Sequence, residues 1–291
     1  MLNVSIIIPT YRDWFRLSLC LDALVSQSYP CEKIQIIVVN NDPDNVREDI
    51  IKKFKNTNIL FIDEIKAGSY AARNTGLKYA VGDIVAFTDS DCIPDSEWLT
   101  NAVSFLENNK NIDRIGGHIE LFFKSKKRNL AEIYEACYAF RQEEFVEKQN
   151  MAATANMITY KKLFDHVGNF NDKLMSGGDA EWGKRASLLE YKIAYCNNVI
   201  VRHPSRDSIS GIFLKNRREA AGKIKEDSKI YFVLELFKSF LPPLKSIYYI
   251  RRKNIKYHHV LLAFIIRYIL RIDSGFEKFK VGMLGKNVER L

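Results

Sequence analysis

The chain has 291 residues, 47% hydrophobic and 27% charged, which excludes a disordered chain and supplies apolar material for a sizeable core. Its net charge of +9 calls for an anionic partner, whether a phosphate-bearing substrate, a nucleic acid or an anionic membrane surface. Five scattered cysteines lack zinc-finger or redox spacing and read as reduced thiols of a cytosolic protein. The N-terminus carries no basic region or cleavage site of a signal peptide, and no apolar run reaches the roughly 20 residues of a membrane span.

Val4–Ile8 is a β-branched run closed by Pro9 and predicts a buried strand. Arg16–Ser26 places Leu17, Cys20, Leu21 and Leu24 on one helical face. Strands follow at Ile34–Val39, Ile59–Ile62 and Ile84–Thr88, and helices at Val46–Phe54, Ser69–Ala80 and Asp95–Glu107. This alternation predicts an α/β fold with a mostly parallel sheet sandwiched by helices. Beyond residue 112 the spacing predicts a strand over Arg114–Phe123, a basic loop over Lys124–Arg128 and one helix over Leu130–Val146. A small-residue strand over Ala152–Thr159, a turn-rich link over Phe164–Leu174 and a helix over Asp179–Leu189 come next. Short strands at Ile193–Cys196 and Val199–Arg202 precede a change of composition at Ile230.

In parallel sheets ligands sit outside the carboxyl ends of the strands. That rule makes one rim of Pro9-Thr10-Tyr11, Asn40-Asn41-Asp42 and Asp89-Ser90-Asp91. Asp89 and Asp91 are two residues apart and point the same way in extended chain. Such like charges repel unless a cation or hydrogen-bond donors join them, and hard oxygens at this spacing suit Mg²⁺ or Mn²⁺. The plainer alternative is an acidic turn that stops a strand and caps the following helix.

Four segments favour the metal: IIIPTYRDW, IIVVNNDPDN, KAGSYAARNTGLKYAVGDIVAFTDSDC and FNDKLMSGGDAEWGKR, in that order. The combination resembles the family 2 nucleotide-sugar glycosyltransferases of GT-A (Rossmann-like) fold, over roughly Val4–Arg206. The resemblance implies a donor site formed by Pro9, Thr10, Tyr11, Asn41, Asp42, Gly68, Arg73, Asp89, Ser90 and Asn156. It implies a divalent metal, Mn²⁺ or Mg²⁺, held by Asp89, Asp91 and His203. Where the family often carries Glu-Asp at a helix start, this chain has Gly178-Asp179, so Asp179 inherits the role of catalytic base and Glu181 is second choice. In isolation, Asp179 after two glycines reads equally as a helix cap. Asn40-Asn41-Asp42 departs from the usual acidic pair facing the base, which leaves the base open, with a UDP-sugar favoured. An inverting hexosyl- or N-acetylhexosaminyltransferase of surface-polysaccharide or lipopolysaccharide-type assembly is implied, acting on a glycan or lipid-linked glycan.

The expected organisation is a catalytic domain over 1–225, with a nucleotide-sugar half at 1–111 and an acceptor half at 112–225, and a basic helical extension over 226–291. Within the extension, Val260–Ile272 is helical in pattern and interrupted by Arg267 and Arg271. It reads as an amphipathic helix lying on the inner face of the cell membrane, or as a helix packed on the domain or across a homodimer. Arg202, Arg206, Lys215, Arg217 and Arg218 could neutralise pyrophosphate, face anionic lipid or lie on a solvated helix. A nucleotidyltransferase would need a triphosphate loop that is not seen near the first strand, and no nucleic-acid-binding module supports a nucleic-acid partner.

Overall fold

The computed structural model describes residues 1–222, 236–247 and 255–284. Strand β1 (Val4–Thr10) is buried along its whole length, as its β-branched run requires. It pairs in parallel with β2 (Ile34–Asn40) and β4 (Ile84–Phe87), and β2 pairs in parallel with β3 (Ile59–Asp63). The register sets Thr10 beside Asn40 and Asn40 beside Asp63, so these strand ends finish level and build the expected rim. Helices α1 (Trp14–Val25), α2 (Glu48–Lys53) and α3 (Ser69–Tyr79) connect the strands. The face of α1 that the spacing selected is buried, with Trp14 added.

The sheet continues beyond the predicted parallel set and becomes mixed. A two-residue strand β5 (Ile93–Pro94) precedes α4 (Trp98–Asn108), which starts three residues later than expected. β6 (Arg114–Phe122) and β7 (Met157–Tyr160) extend the sheet, with β7 antiparallel to both β4 and β6. The two expected short strands near the end are one, β8 (Ile193–Pro204), antiparallel to β5. The order is β3-β2-β1-β4-β7-β6-β8-β5. One apolar cluster holds Ile6, Leu17, Val38 and Trp98, and another holds Ile7, Val39, Phe87 and Trp182; alternate residues of β1 feed the two.

Two expectations fail for local reasons. The helix expected over Leu130–Val146 is two, α5 (Leu130–Tyr138) and α6 (Gln142–Gln149). Ala139 is extended and Phe140 takes φ 43, where its ring packs 4.4 Å from that of His203. The strand expected from Ala152 begins only at Met157, because residues 154–156 form a 3₁₀ turn. That turn directs Asn156 inward, fully buried. Its side chain accepts from Trp98 Nε1 at 2.9 Å and donates to the carbonyls of His118 and Val199, each at 2.8 Å. Asn156→Ala leaves a buried indole N–H and two carbonyls without this partner and is expected to cost on the order of 3 kcal/mol, read as a lower urea midpoint.

The turn-rich link contains α7 (Leu163–Val167) before α8 (Gly178–Leu188), and α9 (Ile209–Gly222) follows β8. The last helix, α10 (Tyr257–Leu284), extends well past the expected Val260–Ile272. The chain forms two compact units, one of Met1–Glu120 and Phe140–His203, the other of Leu121–Ala139 and Pro204–Leu291. In the second, α10 packs on α5 and α9 through Ile133, Val260 and Ala263 and through Tyr134, Ile212 and Leu270. The expected boundary at 225 and the composition change at Ile230 lie outside the described residues. Among the described residues no helix is long and apolar enough to cross a membrane.

Candidate functional site

Helix α3 carries the A-x-R-N-x-G segment, and its glycine sets the position of everything else. A Cβ on Gly76 would meet Ile7 Cγ2 at 2.5 Å, so only glycine lets α3 lie this close to β1 and β2. The close approach brings Arg73 to the rim, buried to 3% exposure. Asn74 clamps the backbone of Phe170, donating to its carbonyl at 2.9 Å and accepting from its N–H at 3.0 Å. The motif helix thereby fixes the segment that leads into α8 and Asp179.

Arg73 Nη2 donates to Asp89 Oδ1 at 2.5 Å. Its guanidinium carbon also lies 5.5 Å from the centre of the Tyr70 ring, in cation–π range. The Tyr70 hydroxyl donates to Asp179 Oδ1 at 3.2 Å, and the Ala180 N–H donates to the same oxygen at 2.9 Å. Asp89, Arg73, Tyr70 and Asp179 thus form one continuous chain of contacts. Burial pushes the Asp179 carboxyl above the ordinary carboxylate range, while the Ala180 N–H, the Arg73 charge and the Tyr70 hydroxyl oppose the shift. Burial also raises the Tyr70 pKa, which keeps its hydroxyl a donor.

Tyr70 is the member of this chain that sequence reasoning missed. The available signal was Gly178, the departure from the Glu-Asp pattern. A Cβ at Gly178 would meet the Tyr70 ring at 2.8 Å, so the tyrosine occupies the space a side chain there would need. Gly177 at φ 80 supplies the left-handed turn into α8. Tyr70→Phe removes a hydrogen bond that favours the ionised Asp179. The acid limb of the pH–rate profile is expected to move to higher pH, and an unchanged limb would show that Tyr70 does not tune this carboxylate.

Near the end of β4, ligand atoms of Asp89, Asp91, Cys92 and His203 lie within 4.8 Å of one another. Asp91 Oδ1 is 3.5 Å from His203 Nε2, and Asp91 Oδ2 is 3.7 Å from Arg16 Nη1. Both distances exceed a good hydrogen bond, so the Asp91 oxygens retain acceptor capacity. Burial raises the Asp91 pKa, with His203 and Arg16 opposing and Asp89 adding to the rise. Two carboxylates and an imidazole fit Mn²⁺ or Mg²⁺. The Cys92 thiol does not, because it is soft and burial pushes its pKa upward.

The other expected site residues divide. Pro9 and Thr10 are buried at the end of β1, and Tyr11 is half-buried beside Arg12, whose guanidinium carbon is 5.0 Å from its ring centre. Arg12 in turn holds Asp42 at 2.5 Å. Ser90 is half-buried between the two aspartates, and Gly68, at φ 123, supplies the cap of α3. Asn41 is a brace: its amide donates to the carbonyls of Glu64 and Lys66 and accepts from the Gly68 N–H. Asn156 corrects an expectation, since its complete burial and three bonds described above make it a structural residue rather than a donor contact. Glu181 is held by Arg185 at 2.7 and 3.0 Å, which ties it to the link before α8. Arg202 pairs with Asp95 and Glu120, and Arg217 with Asp273, so both are ion-paired while staying partly exposed. Three buried polar atoms without a hydrogen-bond partner belong to the rim region: Thr10 Oγ1, Thr88 Oγ1 and Arg73 Nε.

A sequence model described as glycosyl transferase family 2 matches residues 5–169. Glycosyltransferase AglE of Haloferax volcanii is 35% identical over 226 residues, covering 76% of this chain and 73% of the relative. Residues 1–349 of Staphylococcus aureus TarS in complex with UDP-GlcNAc superpose with a TM-score of 0.55 at 17% identity, over 99% of this chain and 93% of that one. The mannosyltransferase PcManGT of Pyrobaculum calidifontis, in complex with GDP-Man and Mn²⁺, gives 0.55 at 15% identity, over 98% and 76%. At these identities the structural likeness speaks for the fold alone, which is the GT-A arrangement that the motifs implied.

Proposed function

This chain belongs to glycosyl transferase family 2, and we propose that it transfers a sugar from a nucleoside diphosphate donor to a hydroxyl of a glycan or lipid-linked glycan, inverting the anomeric centre. The observation that carries this reading is the chain of contacts Asp89–Arg73–Tyr70–Asp179, which joins an acidic cluster at one end to a half-buried carboxylate of raised pKa at the other.

In this scheme Asp179 takes the proton from the acceptor hydroxyl as it attacks the anomeric carbon. Its raised pKa makes its carboxylate a better base than an ordinary one. Arg73 fixes Asp89 and places positive charge near the site of bond breaking. Asp89, Asp91 and His203 would hold a divalent cation, which when bound supplies positive charge against the departing diphosphate. Glu181, engaged by Arg185, keeps a structural role. In this reading Tyr11 and Asp42 would meet the nucleoside, and the buried, unpartnered Thr10 hydroxyl and Arg73 Nε beneath the rim support a polar ligand there.

UDP-GlcNAc in the TarS complex and GDP-Man in the PcManGT complex support the donor class and leave the base open. A thermal-shift screen of UDP- and GDP-sugars with Mn²⁺, followed by assays of nucleotide diphosphate release, tests the proposal. Release of pyrophosphate from a nucleoside triphosphate would instead make the chain a nucleotidyltransferase.

A further inference from the structure

Helix α10 is apolar on two sides, and only one of them is buried. Val260, Ala263 and Leu270 face inward within the second unit. The opposite side is also apolar: Leu261, Ile265, Ile269 and Phe276 are 52%, 47%, 48% and 56% exposed. Steps of four and seven residues keep these side chains on one slowly drifting stripe. The segment before the helix continues the patch. Phe237, Leu241 and Leu244 are exposed, and the Phe240 ring meets Phe276 edge-on at 5.7 Å. The Arg271 guanidinium and the Tyr268 hydroxyl donate to backbone carbonyls of Lys238 and Phe240, which fastens the segment to the helix. Exposed apolar surface this continuous marks an interaction site.

Charge identifies the occupant. The second unit carries 23 lysines and arginines against 10 aspartates and glutamates, whereas the first carries 21 against 25. The whole positive excess of the chain therefore belongs to the unit that bears the apolar stripe. A second copy of so basic a unit would be repelled, while an anionic lipid surface would be attracted. No described helix is long and apolar enough to cross a membrane, so a stripe that met one would lie along its surface.

We propose that the outward face of α10, with Phe237, Leu241 and Leu244, seats in the headgroup region of an anionic phospholipid bilayer. Aromatic and aliphatic side chains enter the interface, and the exposed Lys280, on the same side of the helix, reaches the headgroups. This surface does not depend on the donor chemistry proposed above.

The test is co-sedimentation of the full chain with vesicles of phosphatidylcholine alone, or of phosphatidylcholine and phosphatidylglycerol in equal parts. Binding to the anionic vesicles is expected to exceed binding to the neutral ones by about tenfold and to weaken with salt. The double variant Ile265→Glu/Phe276→Glu is expected to lose binding, and Ile265→Ser/Phe276→Ser to weaken it with an unchanged thermal melt. No binding to either vesicle, binding unaffected in the serine variant, or a solution dimer that the serine variant dissociates would each overturn the proposal. Nucleotide-sugar binding by the serine variant, expected unchanged, reports separately on the proposed function.

Discussion

Asp179→Asn is expected to lower turnover by about 10²- to 10⁴-fold, the usual contribution of a general base, while the protein stays folded. Asparagine is nearly isosteric, and its Oδ1 can still accept from the Tyr70 hydroxyl and the Ala180 N–H. What it cannot do is take a proton. The stability effect has the opposite sign. The folded-state pKa of Asp179 is raised above the unfolded value by burial. The stability linked to its protonation is complete below the unfolded pKa and is lost as pH rises through the folded pKa. The ionised carboxylate therefore destabilises the fold relative to the protonated one, and Asp179→Asn, which cannot ionise, is expected to leave the melting temperature unchanged or to raise it as pH increases. Asparagine caps a helix as well as aspartate, so the substitution keeps the bond to the Ala180 N–H and isolates the loss of the proton acceptor; loss of turnover with a retained melting temperature is the expected signature. Turnover within tenfold of the parent protein would move the base elsewhere.

Asp91→Asn is expected to have the second large effect. Asp91 lies between His203 and Arg16, with neither close enough to saturate its oxygens. Removing an outer-shell partner of a metal ligand commonly costs 10- to 100-fold in affinity or activity, so loss of a ligand charge is expected to cost about 100-fold or more in Mn²⁺ affinity. The same variant relieves repulsion with Asp89, so the fold is expected to survive. Mn²⁺ titration followed by electron paramagnetic resonance reads the affinity directly. Asp89→Asn differs, because it also removes the negative charge paired with the buried Arg73 guanidinium, even though the asparagine oxygen can still accept its hydrogen bond. It is the less clean substitution.

The rim was legible in the sequence because its elements are local. β-branched runs close at Pro9, Asn40 and Thr88, and a parallel sheet brings such ends together without any need to know the packing. Asp89 and Asp91 declared themselves by spacing. The connection between acidic cluster and base was not legible, since it runs through Tyr70, which lies 109 residues from Asp179 in the chain. A tyrosine on a helix reads as core until its partner is known. Asn156 misled in the reverse direction, because a polar residue near a strand suggests a ligand contact whereas here a 3₁₀ turn turns it into the interior. The break between α5 and α6 escaped notice because Phe140 carries no turn signature, and its left-handed backbone is paired with packing on His203. In each case the missing information was tertiary, a contact between segments far apart in sequence.

The claim that the rim is a cation-dependent nucleotide-sugar site is tested most directly by calorimetric titration of the full chain with UDP- and GDP-sugars, with and without Mn²⁺, in the parent protein and in Asp91→Asn. Binding of one nucleotide class that requires Mn²⁺ in the parent protein and disappears in Asp91→Asn is the expected result. Equal binding without the cation, undiminished binding in Asp91→Asn, or no binding of either nucleotide class would contradict it.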